Sequence, residues 1–256
     1  MARRKQRDSN LDDDFREIEQ MTKFIKQEKS KNLSFKIKSK FKNQKQKSMY
    51  EAILENRITF IQGTAGTGKT YIALMAALEC LRDKSKNVAN IILTKPIVEV
   101  AKSIGLLPGD IAEKTFSYYS HFYDNMSKLI GAEQTSYLKD NGFIIESILN
   151  FMRGTTFGQY DQDGKPIGSI VIFDEAQNAT PHEVKTFISR MGENSKLVIL
   201  GDSDQIDLKL RVGEKCGLDD AIDRLLGIEG IAYIQFTDDE IVRDPFLIEI
   251  MKRYRM

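Results

Sequence analysis

Apolar residues in the stretch 48–256 fall into short unbroken runs, separated by longer segments with helical spacing. Ile58–Gln62, Val88–Thr94, Ile170–Phe173, Leu197–Leu200 and Ile231–Phe236 read as buried strands, since a strand with one wet face would alternate instead. Met49–Glu55, Lys69–Arg82, Ile111–Leu129 and Phe143–Met152 read as helices, and Thr155–Phe157 as a short strand followed by the turn-rich insertion GQYDQDGKPIG. Thr180 opens another helix, because Glu183 three residues on completes a capping box and Pro181 takes the first helical position. Asp244 caps a last helix that starts at Pro245. Buried strands alternating with helices predict an α/β fold, a mostly parallel sheet flanked by helices on both faces.

The first part of the chain has a different character. Leu11, Phe15, Ile18, Met21 and Ile25 lie at helical spacing, which allows a short amphipathic helix in an otherwise loosely ordered segment. Residues 31–47 interleave lysine with Leu33, Phe35, Ile37 and Phe41, a pattern for an edge strand or an extended arm. Charge follows the same division. Residues 1–47 hold 15 Lys/Arg and 7 Asp/Glu, a balance of +8, and the remainder carries −7. No apolar run approaches the roughly 18–20 residues that cross a bilayer. The start, MARRKQRDSN, lacks an apolar signal core. The expectation is a cytoplasmic protein with no membrane partner, in which Cys80 and Cys216 stay reduced.

Candidate chemistry sits at the ends of three predicted strands. After Ile58–Gln62 comes Gly63, Thr64, Ala65, Gly66, Thr67, Gly68, Lys69, Thr70 and Tyr71, which contains the spacing G-x-x-x-x-G-K-T. Glycines let successive N–H groups converge on a phosphate, and the helix that follows adds its positive end. Lys69 is placed to reach the β- and γ-phosphates and Thr70 to offer a hydroxyl to Mg²⁺. Asp174, ending the strand Ile170–Phe173, is the second candidate ligand for that ion. Glu175 beside it is placed to polarise an attacking water, which favours hydrolysis over transfer to another acceptor. After Leu197–Leu200, Gln205 offers an amide that can bond both a γ-phosphate oxygen and that water.

With these motifs in hand, the chain resembles the PhoH-like ATPases, relatives of the single motor core of superfamily 1 helicases. The resemblance covers about residues 41–256 and rests on Asn43–Gln44, GTAGTGKT, TKPIVEVAKSIGLLPGDIAEK at 94–114, FMRGTTF at 151–157, FDEAQNAT at 173–180, SRMGENSKLVILGDSDQIDL at 189–208 and VRDP at 242–245. It implies a RecA-like P-loop ATPase domain over 41–256, preceded by a basic arm at 1–40. ATP and Mg²⁺ are the implied cofactors, and Gln44 is the implied reader of the adenine edge. On the residues alone, Gln44 is a solvated side chain in a lysine-rich arm.

Motors of the helicase type close ATP between two RecA-like domains, and this chain has room for one. The remedy is a self-associated ring, six subunits being the expectation, in which a neighbour supplies an arginine to the transition state. Arg243 is the first candidate for that arginine, with Arg153 and Arg211 in reserve. Single-stranded RNA or DNA is the candidate polymer. Ten lysines between Lys23 and Lys47, interleaved with Phe24, Phe35 and Phe41, fit phosphates and bases, and equally fit a solvated tail. Lys95 is a second candidate phosphate contact or a solvent-exposed lysine, while His121 and His182 read as structural or exposed. A phosphotransferase and a non-hydrolysing nucleotide-binding scaffold are the alternative readings.

Overall fold

The computed structural model describes residues 33–38, 40–96, 111–149, 156–211 and 213–242, together with 246, 249 and 253; for 111–117 it describes backbone alone. The chain divides into two compact units, Met1–Phe35 and Lys36–Met256, and every element named below belongs to the second.

Five strands are where the apolar runs predict them, as β1 (Ile58–Gln62), β2 (Val88–Thr94), β5 (Pro166–Phe173), β6 (Lys196–Gly201) and β7 (Ile231–Gln235); four are largely buried, but β7, expected to be buried too, is an edge strand and only half-buried. With β3 (Ile144–Glu146) and β4 (Gln159–Tyr160) they form a seven-stranded sheet of order β3-β2-β5-β6-β1-β7, with β4 attached to β5. Among the described residues, only the β4–β5 pair is antiparallel. The insertion is therefore a hairpin, closed by the Asp161 side chain accepting the N–H groups of Asp163 and Lys165.

Helices cover both faces. On one lie α1 (Gln44–Glu55), α2 (Lys69–Arg82) and α3 (Ile111–Ile130), continued by α4 (Ala132–Asp140). α2 is apolar nearly all round and buries Ile72, Leu74, Met75, Leu78 and Leu81, as a helix enclosed between the sheet, α1 and α3 must. On the other face, α5 (Pro181–Ile188) and α6 (Gly217–Leu225) pack Val184, Phe187, Leu218 and Ile222 against Phe60, Val171, Phe173, Leu197 and Ile199 of the sheet. The capping box at Thr180 is present: its hydroxyl accepts the Glu183 N–H, and Glu183 accepts the Thr180 N–H.

The segment Phe143–Met152, expected as a helix, instead supplies β3, which pairs parallel with β2 at the sheet edge. Along β3 Ile144 is buried, Ile145 exposed and Glu146 half-buried, so the side chains alternate across a sheet rather than winding round a helix. Of Thr155–Phe157, Phe157 makes a single parallel bridge with Met191. Phe246, Glu249 and Arg253, within the helix expected from Pro245, are helical, while its cap Asp244 and the helix through Leu11–Ile25 lie outside the described residues. Among those described, no helix is long and apolar enough to cross a membrane.

Topology sets the site. The order β5-β6-β1 puts three carboxyl ends side by side, with β6 between the strand that feeds the glycine loop and the strand that ends at Asp174. Register aligns them, since Phe173, Ile199 and Phe60 form one row across the sheet. Neighbouring strands lie about 4.8 Å apart, so the backbones of loop and aspartate are separated by roughly 10 Å, close enough for side chains to meet.

Candidate nucleotide site

The glycine loop is held open by its neighbours. Gly63 leaves β1 at φ 148°, and a Cβ there would lie 2.6 Å from the Cβ and carbonyl oxygen of Phe236. Gly68 is left-handed at φ 84° and caps α2, so the helix begins directly at Lys69. Thr67 donates its hydroxyl to the Thr64 carbonyl at 3.0 Å, and Thr64 donates to Asp238 Oδ1 at 2.8 Å. Ala65 N–H donates to Asp202 Oδ2 at 3.0 Å, which ties the loop to the end of β6. The Lys69 ammonium donates back to the carbonyls of Gly63 and Thr64, the latter at 3.0 Å. It therefore lies folded over the loop it would leave on meeting a phosphate.

Loop and α1 are joined by a residue that the motifs do not single out. Gln46, 2% exposed, donates Nε2 to the Thr67 carbonyl at 2.9 Å and accepts the Lys42 N–H at 2.8 Å. Gln44 is exposed at the first helical position, and the glutamine that touches the loop is Gln46. A signal is present in the sequence: Asn43-x-x-Gln46 has capping-box spacing, and Asn43 does cap α1 by accepting the Gln46 N–H at 2.9 Å.

Across the cleft, Asp174 is 5% exposed and accepts the Thr70 hydroxyl on Oδ2 at 3.1 Å. Two cis ligands of an octahedral ion at 2.0–2.1 Å would lie about 3 Å apart, so this pair fits Mg²⁺ as adjacent donors. Burial alone would push the Asp174 carboxyl up, but the His121 ring, the Lys95 ammonium and the Thr70 hydroxyl outweigh it and hold it below the ordinary value. Lys95 is buried, with its Nζ 5.2 and 5.5 Å from the ring centres of Tyr118 and Phe122, which excludes the solvent-exposed reading. His121 faces Asp174 at 3.5 Å, where the sequence suggests only a structural or exposed ring.

Glu175 sits at φ 58°, ψ 36°, a left-handed conformation rare for a side-chain-bearing residue and costing on the order of 1–3 kcal/mol. Gln177 braces it. Buried completely, Gln177 donates Nε2 to Glu175 Oε2 at 2.6 Å and to the Gln205 carbonyl at 3.3 Å, while its Oε1 accepts the Asp202 N–H at 3.0 Å. Gln205 is exposed and lines the same cleft as Lys69, Thr70, Asp174 and Glu175. That cleft measures about 590 Å³, within the range of small-molecule sites. Asn125 and Lys128 of α3 form part of its wall. Arg243 and Arg153 lie outside the described residues, and Arg211 is exposed in the loop after β6.

The family model for "PhoH-like protein" matches residues 37–255. The chain belongs to the PhoH-like family. A PhoH-like protein of Bacillus subtilis (strain 168) is 38% identical over 238 residues, covering 93% of this chain and 70% of that protein. Protein PhoH of Escherichia coli (strain K12) is 34% identical over 215 residues, 83% of this chain and 57% of its own length. The chain thus spans somewhat more than half to about two thirds of these PhoH-like relatives. Among solved structures, Pif1 helicase from Candida albicans matches 85% of the chain at 15% identity and TM-score 0.41, covering 44% of that helicase. The large terminase of a thermophilic bacteriophage matches 87% at 12% identity and TM-score 0.42, covering 50% of that terminase. PhoH-like membership, the glycine loop between β1 and α2 and the parallel sheet together identify a P-loop nucleoside-triphosphatase fold, and nucleotide and Mg²⁺ use follow from that class.

Proposed function

We propose that this chain binds ATP with Mg²⁺ and hydrolyses it. The observation that carries the reading is the convergence of Lys69, Thr70, Asp174 and Glu175 on one cleft. The loop amides from Gly66 to Tyr71 receive the phosphates, and Lys69 exchanges its two carbonyls for phosphate oxygens. Thr70 and Asp174 would hold Mg²⁺, which would supply charge neutralisation to the bound triphosphate. Glu175, fixed by Gln177, takes a proton from the attacking water while Gln205 orients that water. Gln46 braces the loop at the adenine-proximal end of α1, and we move to the Asn43–Gln46 turn the adenine-side role first expected of Gln44.

Among the described residues no arginine lines the cleft. Such a domain should turn over slowly, since an arginine finger is worth about 10³–10⁵ in rate. Self-association into a ring, a hexamer as the leading stoichiometry, supplies that cation from a neighbour, with Arg243 the first residue to replace. Coupling to single-stranded RNA or DNA in a bacterial or virus-infected cytosol completes the proposal. The lysine-rich residues 23–47 are its electrostatic support.

Phosphate release measured against protein concentration, with and without single-stranded RNA or DNA, tests this. The rate per subunit is expected to climb with concentration and with a polymer. A flat rate near zero under every condition, with ATP bound, would leave a nucleotide-binding scaffold. Phosphate appearing on an acceptor other than water would establish a phosphotransferase.

A further inference from the structure

One helix runs the length of the cleft. Tyr119, Phe122, Met126 and Leu129 of α3 are fully buried at helical spacing, so this face fixes the helix in the core. His121, Asn125 and Lys128 follow at i, i+4 and i+7 and form a second stripe beside it. Asn125 and Lys128 line the same cleft as Gly66, Lys69, Thr70 and Tyr71.

The stripe has a direction. At its start, His121 lies 3.5 Å from Asp174 Oδ2, the oxygen that accepts the Thr70 hydroxyl. Lys128 is seven residues on, about 10 Å along the axis at 1.5 Å per residue. There the adjacent Leu129 carbonyl accepts the Lys38 N–H at 2.8 Å, and the Lys38 carbonyl accepts the Tyr71 hydroxyl at 3.5 Å. The chain from Lys38 then reaches Lys42, whose N–H is held by Gln46 of α1. α3 therefore passes from the Asp174 end of the cleft, where the proposed chemistry sits, to the Tyr71 and α1 end, where the nucleoside would lie.

Charge gives the far end of the stripe a task. Lys69 and Lys128 are the cations among the described residues that line the cleft. Lys69 is folded onto two loop carbonyls and is aimed at the outer phosphates. Lys47, Lys139 and Lys215 each pair with a carboxylate. Lys128 is exposed and pairs with none of the described residues. Its flexible four-carbon stem carries an ammonium with three donors, which suits a phosphate approached as a point charge.

We propose that Lys128 is a phosphate-binding residue supplied in cis by α3, which contacts the α- and β-phosphates of the nucleotide. This rests on the ATP-binding reading above. Lys69 and Lys128 then hold the phosphate chain from its two ends. The phosphates that Lys128 meets are common to ATP and ADP, so its contribution is to affinity for both and appears in KM.

The test uses the full chain with Mg²⁺. Calorimetric titration with ATPγS and with ADP, repeated over a range of salt concentrations, gives the affinities, and phosphate release from ATP gives KM. Lys128→Gln should weaken ATPγS and ADP binding by similar factors of about fivefold to tenfold, raise KM by the same factor and make affinity less sensitive to salt. Lys128→Arg keeps the cation and should stay within about threefold of the wild type. A loss of packing at this position would not be rescued by Arg and would not alter the salt dependence. A loss for ATPγS with ADP affinity unaltered would place Lys128 on the γ-phosphate and overturn the assignment. Unaltered affinity for both nucleotides, or a loss confined to kcat, overturns the contact itself. Failure of the wild type to bind either nucleotide overturns this inference together with the function it rests on.

Discussion

Gln177 Nε2 lies 2.6 Å from Glu175 Oε2, so a fully buried amide holds the carboxylate at the centre of the proposed chemistry. The same side chain accepts the Asp202 N–H and reaches the Gln205 carbonyl, which joins the ends of β5 and β6 through one residue. Gln177→Leu removes these bonds at similar volume. A loss of about 1–3 kcal/mol in positioning corresponds to a fall in turnover of roughly 10–100-fold. ATP affinity should change less than about threefold, because Gln177 touches neither the loop nor the Thr70–Asp174 pair. Steady-state phosphate release and equilibrium binding of a fluorescent ATP analogue separate the two quantities.

The glycine loop depends on one close approach. Gly63→Ala adds a Cβ 2.6 Å from the Phe236 backbone oxygen at a φ of 148°, so clash and strain act together. Gly164→Ala, at φ 74° in the hairpin turn with nothing within 4 Å, meets strain alone. Gly164→Ala should cost about 1–2 kcal/mol and leave nucleotide binding intact. Gly63→Ala should cost more and abolish binding. Thermal unfolding with and without ATP checks both.

Gln46 and Gln44 make a matched pair two residues apart. Gln46→Ala breaks the bond to the Thr67 carbonyl and leaves the Lys42 N–H without its acceptor, which should weaken ATP binding about fivefold to tenfold. Gln44→Ala, at an exposed position, should leave it within about twofold. Equal effects of the two changes would return the adenine-side role to Gln44.

The strands and the three motif-bearing ends are legible in the sequence because buried parallel strands must be apolar on both faces and phosphate loops need glycine. Gln46 is legible only as the residue three on from the Asn43 cap; its burial against the loop depends on the phase of α1 and on tertiary contact, which carry no local signal. β3 reads as helix because Ile144–Glu146 is too short to display alternation, and its pairing with β2 comes from tertiary contact. α6 escapes the sequence reading although Leu218, Ala221, Ile222 and Leu225 have helical spacing. The approach of His121 to Asp174 carries no local signal. It arises because β2 and β5 are neighbours and α3 crosses back toward their ends.

Both cysteines are free and buried, and burial first of all pushes the Cys80 thiol up from 9.0 to about 11. The unfolded chain ionises this thiol first, so stability is full below about pH 9 and declines as the pH rises toward about 11. At about 1.4 kcal/mol per unit, the decline reaches roughly 3 kcal/mol. Denaturant unfolding of the wild type and Cys80→Ala across pH 8–11 should show a shallower alkaline loss in the variant.

The central claim is that Glu175 activates water against a triphosphate held by the glycine loop and the Thr70–Asp174 pair. Single-turnover hydrolysis by Glu175→Gln, with ATP and Mg²⁺ prebound, tests it most directly. The account predicts ATP bound at wild-type stoichiometry and phosphate release slowed at least about 10²-fold. Release at the wild-type rate from that bound ATP would contradict it.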